Sequence, residues 1–342
     1  MALLWMEGFE SFGVTNGNAP VGFAAKWTAG QPDSNFTVRA GRIAGHSLRL
    51  STNSTPQWTP RLGTPSTLVC GFGFYQDAFA AEVEILQFWD GLSQQGSLKI
   101  QTNGLWKYYR SSGNLLGTSS GSAVSASTWV YVELKVKFST TVGTVDIWIN
   151  GSNVLTLTSQ NTSATGNTRA TNAALVGSFG GSDHTQIDDL YILDDTGSVN
   201  NARLGPVVIT MIQPASDAGT NQFTTSSGSN HYDRVNENPS NVNSTYLEDD
   251  TSGHRELFGM GTLQIGSVQG IQMNTVARTT DATQVSVKNS IHTSGGTDSD
   301  DSAQNVSTDY QTLYRIVETN PQTSALWRVS AINAAQFGFK VG

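Results

Sequence analysis

The chain has 342 residues and a formal net charge of −8, and only 13% of its residues are charged. Its 19 lysines and arginines are scattered, so no basic patch could follow a phosphate backbone and we expect no nucleic-acid binding. The length exceeds that of one ordinary β-sandwich and predicts two domains. Eight Trp, nine Tyr and 14 Phe can fill packed cores, which excludes a disordered chain.

The sequence also gives expectations about the single cysteine, membrane insertion and a signal peptide. The one cysteine, Cys70, lies in an apolar run, so we expect a buried free thiol and no intramolecular disulfide. No run approaches the roughly 18 apolar residues of a spanning helix, so we expect no membrane insertion. The first residues lack the basic and apolar regions of a signal peptide, and we expect no leader.

Short alternating segments predict a β-rich first half. The longest alternation covers residues 129–138, and Asn150-Gly151 predicts a tight hairpin turn because both residues accept positive φ. Strands at this regular spacing indicate an antiparallel sandwich of the jelly-roll kind. In chain order, we predict strands at 3–12, 47–51, 68–75, 82–89, 97–101, 105–110, 129–138, 145–150, 154–158 and 185–193.

The second half is separated by a segment rich in small and polar residues, 196–206, which we interpret as a linker. We therefore predict one domain over residues 1–197 and a second, β-rich domain over residues 206–342. Within the second domain, apolar alternating segments predict strands at 207–212, 266–277, 283–291, 310–318 and 327–342.

Three motifs of the first half carry a family resemblance: Trp-x-Tyr-Val-Glu-Leu-Lys-Val from Trp129, Val-Asp-Ile-Trp-Ile-Asn-Gly from Val145, and Ile-Asp-Asp-Leu-Tyr-Ile-Leu-Asp from Ile187. Their order resembles the concanavalin A-like lectin/glucanase superfamily in its laminin G-like form, over roughly residues 1–200. The resemblance implies an all-β chain, with an N-terminal antiparallel jelly-roll sandwich followed by a C-terminal β-rich module.

Four segments of the second half resemble segments common in structural proteins of tailed bacteriophages: 226–237, 270–278, 314–321 and 327–341. This resemblance implies a virion protein, which we expect in the tail as part of a fibre, the baseplate or the tip. A capsid decoration protein is the second location. The implied partners are other virion proteins and copies of the same chain, in a trimer or larger homo-oligomer.

One acidic strand pattern bears on catalysis. Retaining glycosidases of the superfamily carry Glu-x-Asp-x-(x)-Glu, which places two carboxylates on one face of a strand. The nearest match here begins at Glu82, but Glu84 stands where the central Asp is expected and Gln87 or Phe88 where the last acid is expected. The set is incomplete, and we expect no enzymatic activity.

Three aspartates around the strand 185–193 could bind a metal. Asp188, Asp189 and Asp194 could supply oxygens to Ca²⁺, which takes six to eight such ligands, and the laminin G-like resemblance implies a calcium at the sandwich rim. The alternative is that these are ordinary strand-flanking aspartates. We expect no other cofactor.

Four aromatic residues lie on or near predicted loops: Trp27, Trp58, Trp106 and Tyr108. They could form a platform for a glycan, or they could serve core packing or subunit contact. The first alternative would make the chain a carbohydrate-binding module that recognises a host surface glycan. His184 beside Asp183 is interpreted as a surface pair, because the five histidines form no metal or catalytic motif.

Overall fold

The computed structural model describes residues 2–13, 25–27, 36–50, 56–121, 123–177, 183–264 and 266–342. The chain is nearly all β, and it forms two compact units, Met1–Thr210 and Met211–Gly342. The predicted fold class is confirmed: the first unit is an antiparallel jelly-roll sandwich and the second is β-rich. No helix in the described residues is both long and apolar enough to cross a membrane.

The larger sheet of the first unit has eight strands: β1 (Leu3–Glu7), β2 (Phe36–Ala40), β3 (His46–Leu50), β5 (Thr67–Gln76), β10 (Val130–Lys137), β11 (Gly143–Ile149), β12 (Ser152–Gln160) and β14 (Thr185–Leu193). Their order across the sheet is β12-β11-β10-β5-β14-β3-β2, with β1 paired to β14. All of these pairings are antiparallel.

The smaller sheet has six strands in the order β4-β13-β6-β7-β8-β9. Its strands are β4 (Gln57–Trp58), β6 (Val83–Asp90), β7 (Ser93–Ile100), β8 (Trp106–Arg110), β9 (Asn114–Thr118) and β13 (Asn172–Leu175).

The core of the first unit lies between these two sheets. Phe74 of the larger sheet meets Trp106 of the smaller sheet edge to face, with ring centroids 5.0 Å apart. The alternation of β10 and β11 drives this arrangement, since their inward residues are buried apolar side chains. The predicted hairpin turn is confirmed, because Asn150 and Gly151 have φ of 49° and 83° and join β11 to β12.

The second unit contains one six-stranded sheet, in the order β15-β18-β24-β20-β21 with β22 paired to β20, and two two-stranded sheets, β16-β17 and β19-β23. A short helix, Val329–Ala334, precedes the last strand. The strands are β15 (Pro214–Asn221), β16 (Thr224–Thr225), β17 (Leu247–Glu248), β18 (Arg255–Met260), β19 (Ile271–Ala277), β20 (Val285–His292), β21 (Asp298–Asp300), β22 (Gln304–Val306), β23 (Gln311–Val317) and β24 (Gln336–Val341).

The segment interpreted as a linker, 196–206, lies within the first unit and is bound to it. The carboxylate of Glu133 is buried on the outer face of β10, where it accepts hydrogen bonds from the hydroxyl of Tyr191 at 2.7 Å and from the backbone N–H of Gly205 at 2.8 Å. Arg203 completes the group by pairing with the same carboxylate. We call residues 203–209 the clasp, because they are held against the outer face of the larger sheet.

A second set of buried charges holds the other end of the clasp. A register shift in β14 marks a bulge, and Asp189 there has φ of 50°. The bulge allows Asp188 and Asp189 to bind one residue together: Asp188 accepts the backbone N–H of Arg42 at 2.6 Å, and Asp189 accepts its guanidinium at 2.8 Å. Asp189 also accepts the backbone N–H of Ile209 at 2.7 Å.

The predicted strand at 207–212 is therefore wrong. Ile209 gives its backbone N–H to a carboxylate, and the carbonyl of Val207 accepts from Arg42. These groups are satisfied by side chains, so the segment belongs to no sheet.

Glu133 supplies the first testable prediction. Glu133→Ala leaves the buried hydroxyl of Tyr191 and the guanidinium of Arg203 without their acceptor, and we expect the free energy of unfolding of the first unit to fall by about 3 kcal/mol. Urea denaturation followed by tryptophan fluorescence measures the change. The matched control is Lys137→Ala on the same strand, an exposed position where we expect a change within about 0.5 kcal/mol. A loss below about 1 kcal/mol for Glu133→Ala would contradict this role.

The pH dependence of stability supplies a second prediction. Burial raises the pKa of Asp188 to about 7, with a further contribution from the charge of Asp189, and burial raises the pKa of Glu10 to about 7. The folded chain therefore holds protons that the unfolded chain loses near pH 4. The stability from these groups is complete below about pH 4 and is lost as the pH rises through about 7.

The double variant Glu10→Gln and Asp188→Asn should remove this dependence. We expect the difference in denaturation midpoint between the wild type and the variant to change steadily between about pH 4 and pH 8, with the wild type losing relative stability as the pH rises. Asp195→Asn, at an exposed position two residues after β14, is the matched control for the removal of a carboxylate. A constant difference for the double variant would show that the two carboxyls titrate normally.

Candidate functional site

An open groove lies on the outer face of the larger sheet. Its volume is about 460 Å³, and it is open to solvent over much of its extent. Strands β2, β3, β5 and β14 supply most of its side chains. The lining residues are Arg39, Ala40, Gly41, Arg49, Tyr75, Asp77, Trp129 and Gln186.

Strand alternation explains why these side chains share one face. In β3, Leu48 and Leu50 are buried, and Arg49 between them is half-buried and lines the groove. Gln186 of β14 stands opposite Arg49 on one side and Tyr75 of β5 on the other. The sheet order thus brings together residues from three segments that are far apart in the sequence.

The charges of the groove are unequally compensated. The guanidinium of Arg49 lies 3.8 Å from the carboxylate of Asp77, beyond hydrogen-bond distance, and its buried Nε has no hydrogen-bond partner. Asp77 makes its shorter contact, 2.8 Å, with Nδ1 of His184. Burial, followed by the positive charge of Arg39, lowers the pKa of Arg49. The Arg49 side chain is therefore a donor with unused capacity.

Aromatic and amide groups flank these charges. The rings of Tyr75 and Trp129 lie side by side with centroids 5.4 Å apart, and both residues are half-buried. The amide oxygen of Gln186 accepts from the hydroxyl of Ser47 at 3.1 Å, which leaves its NH₂ group as a donor. The groove therefore combines planar hydrogen-bond donors with aromatic surface.

Three of the four aromatic residues named as a possible glycan platform or subunit contact lie in the core, which agrees with the core-packing alternative. Trp106 and Tyr108 are fully buried, because they alternate inward on β8. Trp27 is buried against Trp5 at 5.9 Å. Only Trp58 stays half-buried, and it packs on Trp89 at 4.8 Å.

The predicted calcium site is not assembled in the described residues. The oxygens of Asp188 and Asp189 already accept from Arg42 and from backbone N–H groups, and Asp194 accepts from the hydroxyl and the backbone N–H of Thr196. A guanidinium thus balances the charge that a cation would have balanced. Across the described part of the chain, no group of three or more His, Cys, Asp or Glu residues could hold a metal ion.

The two glutamates of the acidic strand pattern lie near the smaller sheet, apart from the groove. Glu82 pairs with Lys107 at 2.8 Å and accepts from the hydroxyl of Tyr109 at 3.2 Å. The hydrogen bond to Glu82 raises the pKa of Lys107. Glu84 lies 3.9 Å from Lys99. Each glutamate thus has its own lysine, which is the arrangement of a surface ion-pair network.

The remaining reactive side chains have structural surroundings. His184 pairs with Asp77 and not with its sequence neighbour Asp183, whose carboxylate accepts the backbone N–H of Ala80. Cys70 is a buried free thiol as predicted, and burial raises its pKa. Neither residue forms a nucleophile with a base in the described structure.

The groove residues were missed because each is unremarkable in its own segment. Arg49 and Gln186 occupy ordinary outward positions of alternating strands, and Trp129 opens the longest alternation. Alternation alone would have placed them on an outer face, but only the strand order shows that they meet.

The comparisons with known proteins concern the fold. The sequence matches no protein-family model and no curated protein. Among solved structures, it is similar to the alginate lyase Aly36B, with 14% identity and a TM-score of 0.40 over 55% of this chain and 95% of that one. It is also similar to the Caenorhabditis elegans galectin LEC-6, with 10% identity and a TM-score of 0.30 over 42% and 94%. A third similar structure is a Trypanosoma rangeli sialidase, with 11% identity and a TM-score of 0.32 over 46% of this chain and 27% of that one.

These similarities correct one expectation from the sequence. We expected that the chain is not an enzyme, and this is contradicted because the structures of similar fold include a lyase and a sialidase. At these identities the likeness shows the fold alone and assigns no reaction to this chain. The sheet order and the antiparallel pairings of the first unit give it an all-β, lectin-like jelly-roll fold.

Proposed function

We propose that this chain is a structural protein of a tailed-bacteriophage virion, located in the tail as part of a fibre, the baseplate or the tip. Its second unit would attach it to other virion proteins and to copies of itself. The support comes from the four segments that resemble bacteriophage structural proteins. Three of them coincide with the framework of the second unit: β19 lies in 270–278, β23 ends in 314–321, and the short helix and β24 lie in 327–341.

The fourth segment, 226–237, is fixed by polar contacts. Asp217 accepts the backbone N–H groups of His231 and Tyr232, the second at 2.7 Å. The ring of His231 lies 2.8 Å from the carboxylate of Glu256, which is fully buried and also accepts the backbone N–H of Phe223. These contacts explain why an Asn- and Ser-rich segment has a defined structure.

The observation that carries the assembly proposal is the ribbon formed by β19 and β23. Its seven residue pairs run from Ile271↔Val317 to Ala277↔Gln311, and in the described sheets each strand pairs with the other alone. Isolated two-stranded sheets are marginally stable, and unpaired strand edges are templates for pairing with another chain. A trimer or larger homo-oligomer would cover such edges.

The packing of β19 also supports assembly. One buried apolar cluster of the second unit consists of six described residues, and Ile271 and Met273 of β19 pack against it while staying half-buried. Contacts between copies would bury more of these side chains and add to the stability of the strand. The buried cluster is Leu263, Ile291, Trp327, Ile332, Ala335 and Phe337.

Two further functions remain distinct from the tail proposal. A capsid decoration protein would use the same second unit at another place in the particle. Carbohydrate recognition at a host surface is favoured by one specific observation, the groove on the first unit with its arginines and half-buried aromatic rings. Multivalent display on a particle would strengthen weak binding by each copy.

The location in the particle is a testable prediction. Purified virions labelled with antibodies against the chain should carry gold particles on the tail in electron micrographs. Labelling of the head would assign the decoration role in place of the tail. Absence of the chain from purified virions by mass spectrometry would contradict both virion locations.

The oligomeric state is a separate prediction. The purified full-length chain should elute as a trimer or larger species in size-exclusion chromatography with light scattering, because assembly would cover the open ribbon edges. A chain that stays monomeric up to about 100 μM, well above the Kd of a stable assembly, would contradict self-assembly.

A further inference from the structure

We propose that the groove on the first unit binds a saccharide that carries carboxylate groups, such as a uronic-acid oligosaccharide. This inference rests on the carbohydrate-recognition function proposed above and names its ligand class. It is independent of the location in the virion, since binding is measured on the purified chain.

The charge of the groove is the first argument. Arg39 on β2 and Arg49 on β3 both line it, while Asp77 makes its closest contact with Nδ1 of His184. The β2–β3 register pairs Arg39 with Ser47 and Arg49 with Thr37, so the two arginines stand diagonally on neighbouring strands. Of the described lining residues, Arg39 and Arg49 are cationic and Asp77 is anionic, and the Nε of Arg49 has no hydrogen-bond partner, although the whole chain is acidic.

The geometry of the donors is the second argument. A guanidinium is a planar fork that matches a carboxylate with two parallel hydrogen bonds. Arg49 has a buried Nε without a hydrogen-bond partner, and its distance of 3.8 Å from Asp77 is too long for a direct hydrogen bond. A ligand carboxylate at this position would satisfy a donor that the chain leaves unused.

The aromatic pair is the third argument, and it points to a sugar as the carrier of the carboxylate. Tyr75 and Trp129 give a half-buried aromatic surface beside the arginines, and the C–H face of a pyranose ring packs against such a surface. The NH₂ group of Gln186 is available for a ring hydroxyl. An open groove on a sheet face also admits a chain longer than one sugar.

The test uses the purified full-length chain and isothermal titration calorimetry. The probes are tetragalacturonate, its carboxyl-reduced neutral counterpart of the same length, and a dextran sulfate oligosaccharide of similar charge. We expect tetragalacturonate to bind at least about tenfold more tightly than the neutral counterpart, because the arginines then lose their acceptor. We also expect it to bind more tightly than dextran sulfate, since the groove selects a planar carboxylate on a stacked ring.

Variants place the binding in the groove. Arg49→Lys keeps the charge and removes the fork, and Trp129→Ala removes the aromatic surface. Each should weaken tetragalacturonate binding about tenfold or more. The matched control is Arg61→Gln, an exposed arginine of the same unit outside the groove, which should bind as the wild type does. Thermal unfolding of each variant confirms that it is folded.

Distinct results would overturn the inference. Equal binding of the neutral counterpart would keep carbohydrate recognition but reject the carboxylate class. Equal binding of dextran sulfate, or an affinity unchanged by Arg49→Lys, would show charge attraction without a shaped site. No binding of any saccharide by the folded wild type would reject both this inference and the carbohydrate-recognition function.

Discussion

Carboxylates buried on the outer face of the larger sheet impose the main constraint on the first unit. Glu133, Asp188 and Asp189 are almost completely buried, and a buried charge is tolerated only when a counter-charge and hydrogen-bond donors surround it. The chain supplies these donors from outside the sheet, through Arg42 and through residues 203–209. The sheet therefore needs the clasp, because the clasp supplies donors to its buried carboxylates.

The groove is the part of the same face that the clasp leaves open. Toward the end of β14 where Thr185 lies, outward side chains change from buried carboxylates to the half-buried Gln186 and its neighbours Arg49 and Tyr75. One end of this sheet face thus has carboxylates that the chain itself satisfies, and the other end has Arg49, whose Nε has no hydrogen-bond partner. This division separates the structural and the proposed recognition roles of the first unit.

The strands and the fold class could be predicted from the sequence because alternation and turn residues are local signals. The strand 129–138 and the Asn150-Gly151 turn depend on neighbours a few residues away, and the structure confirms both. The site needed contacts that no local signal contains. Arg42 meets Asp189 across a separation of 147 residues, and the inward position of Trp106 depends on the opposite sheet. Asp188 and Asp189, which the sequence offered as calcium ligands, instead bind Arg42.

Two glycines of β5 make the buried arrangement possible, because they carry no side chain. A Cβ atom on Gly71 would lie 2.2 Å from the ring of Tyr191, and one on Gly73 would lie 2.9 Å from the side chain of Arg42. In any lineage of such chains, these glycines should be exchanged only together with the bulky residue that lies over them. An alanine at either position, with the overlying residue retained, should be absent from natural variants. The correlated positions would therefore identify relatives whose overall sequence identity is too low to recognise.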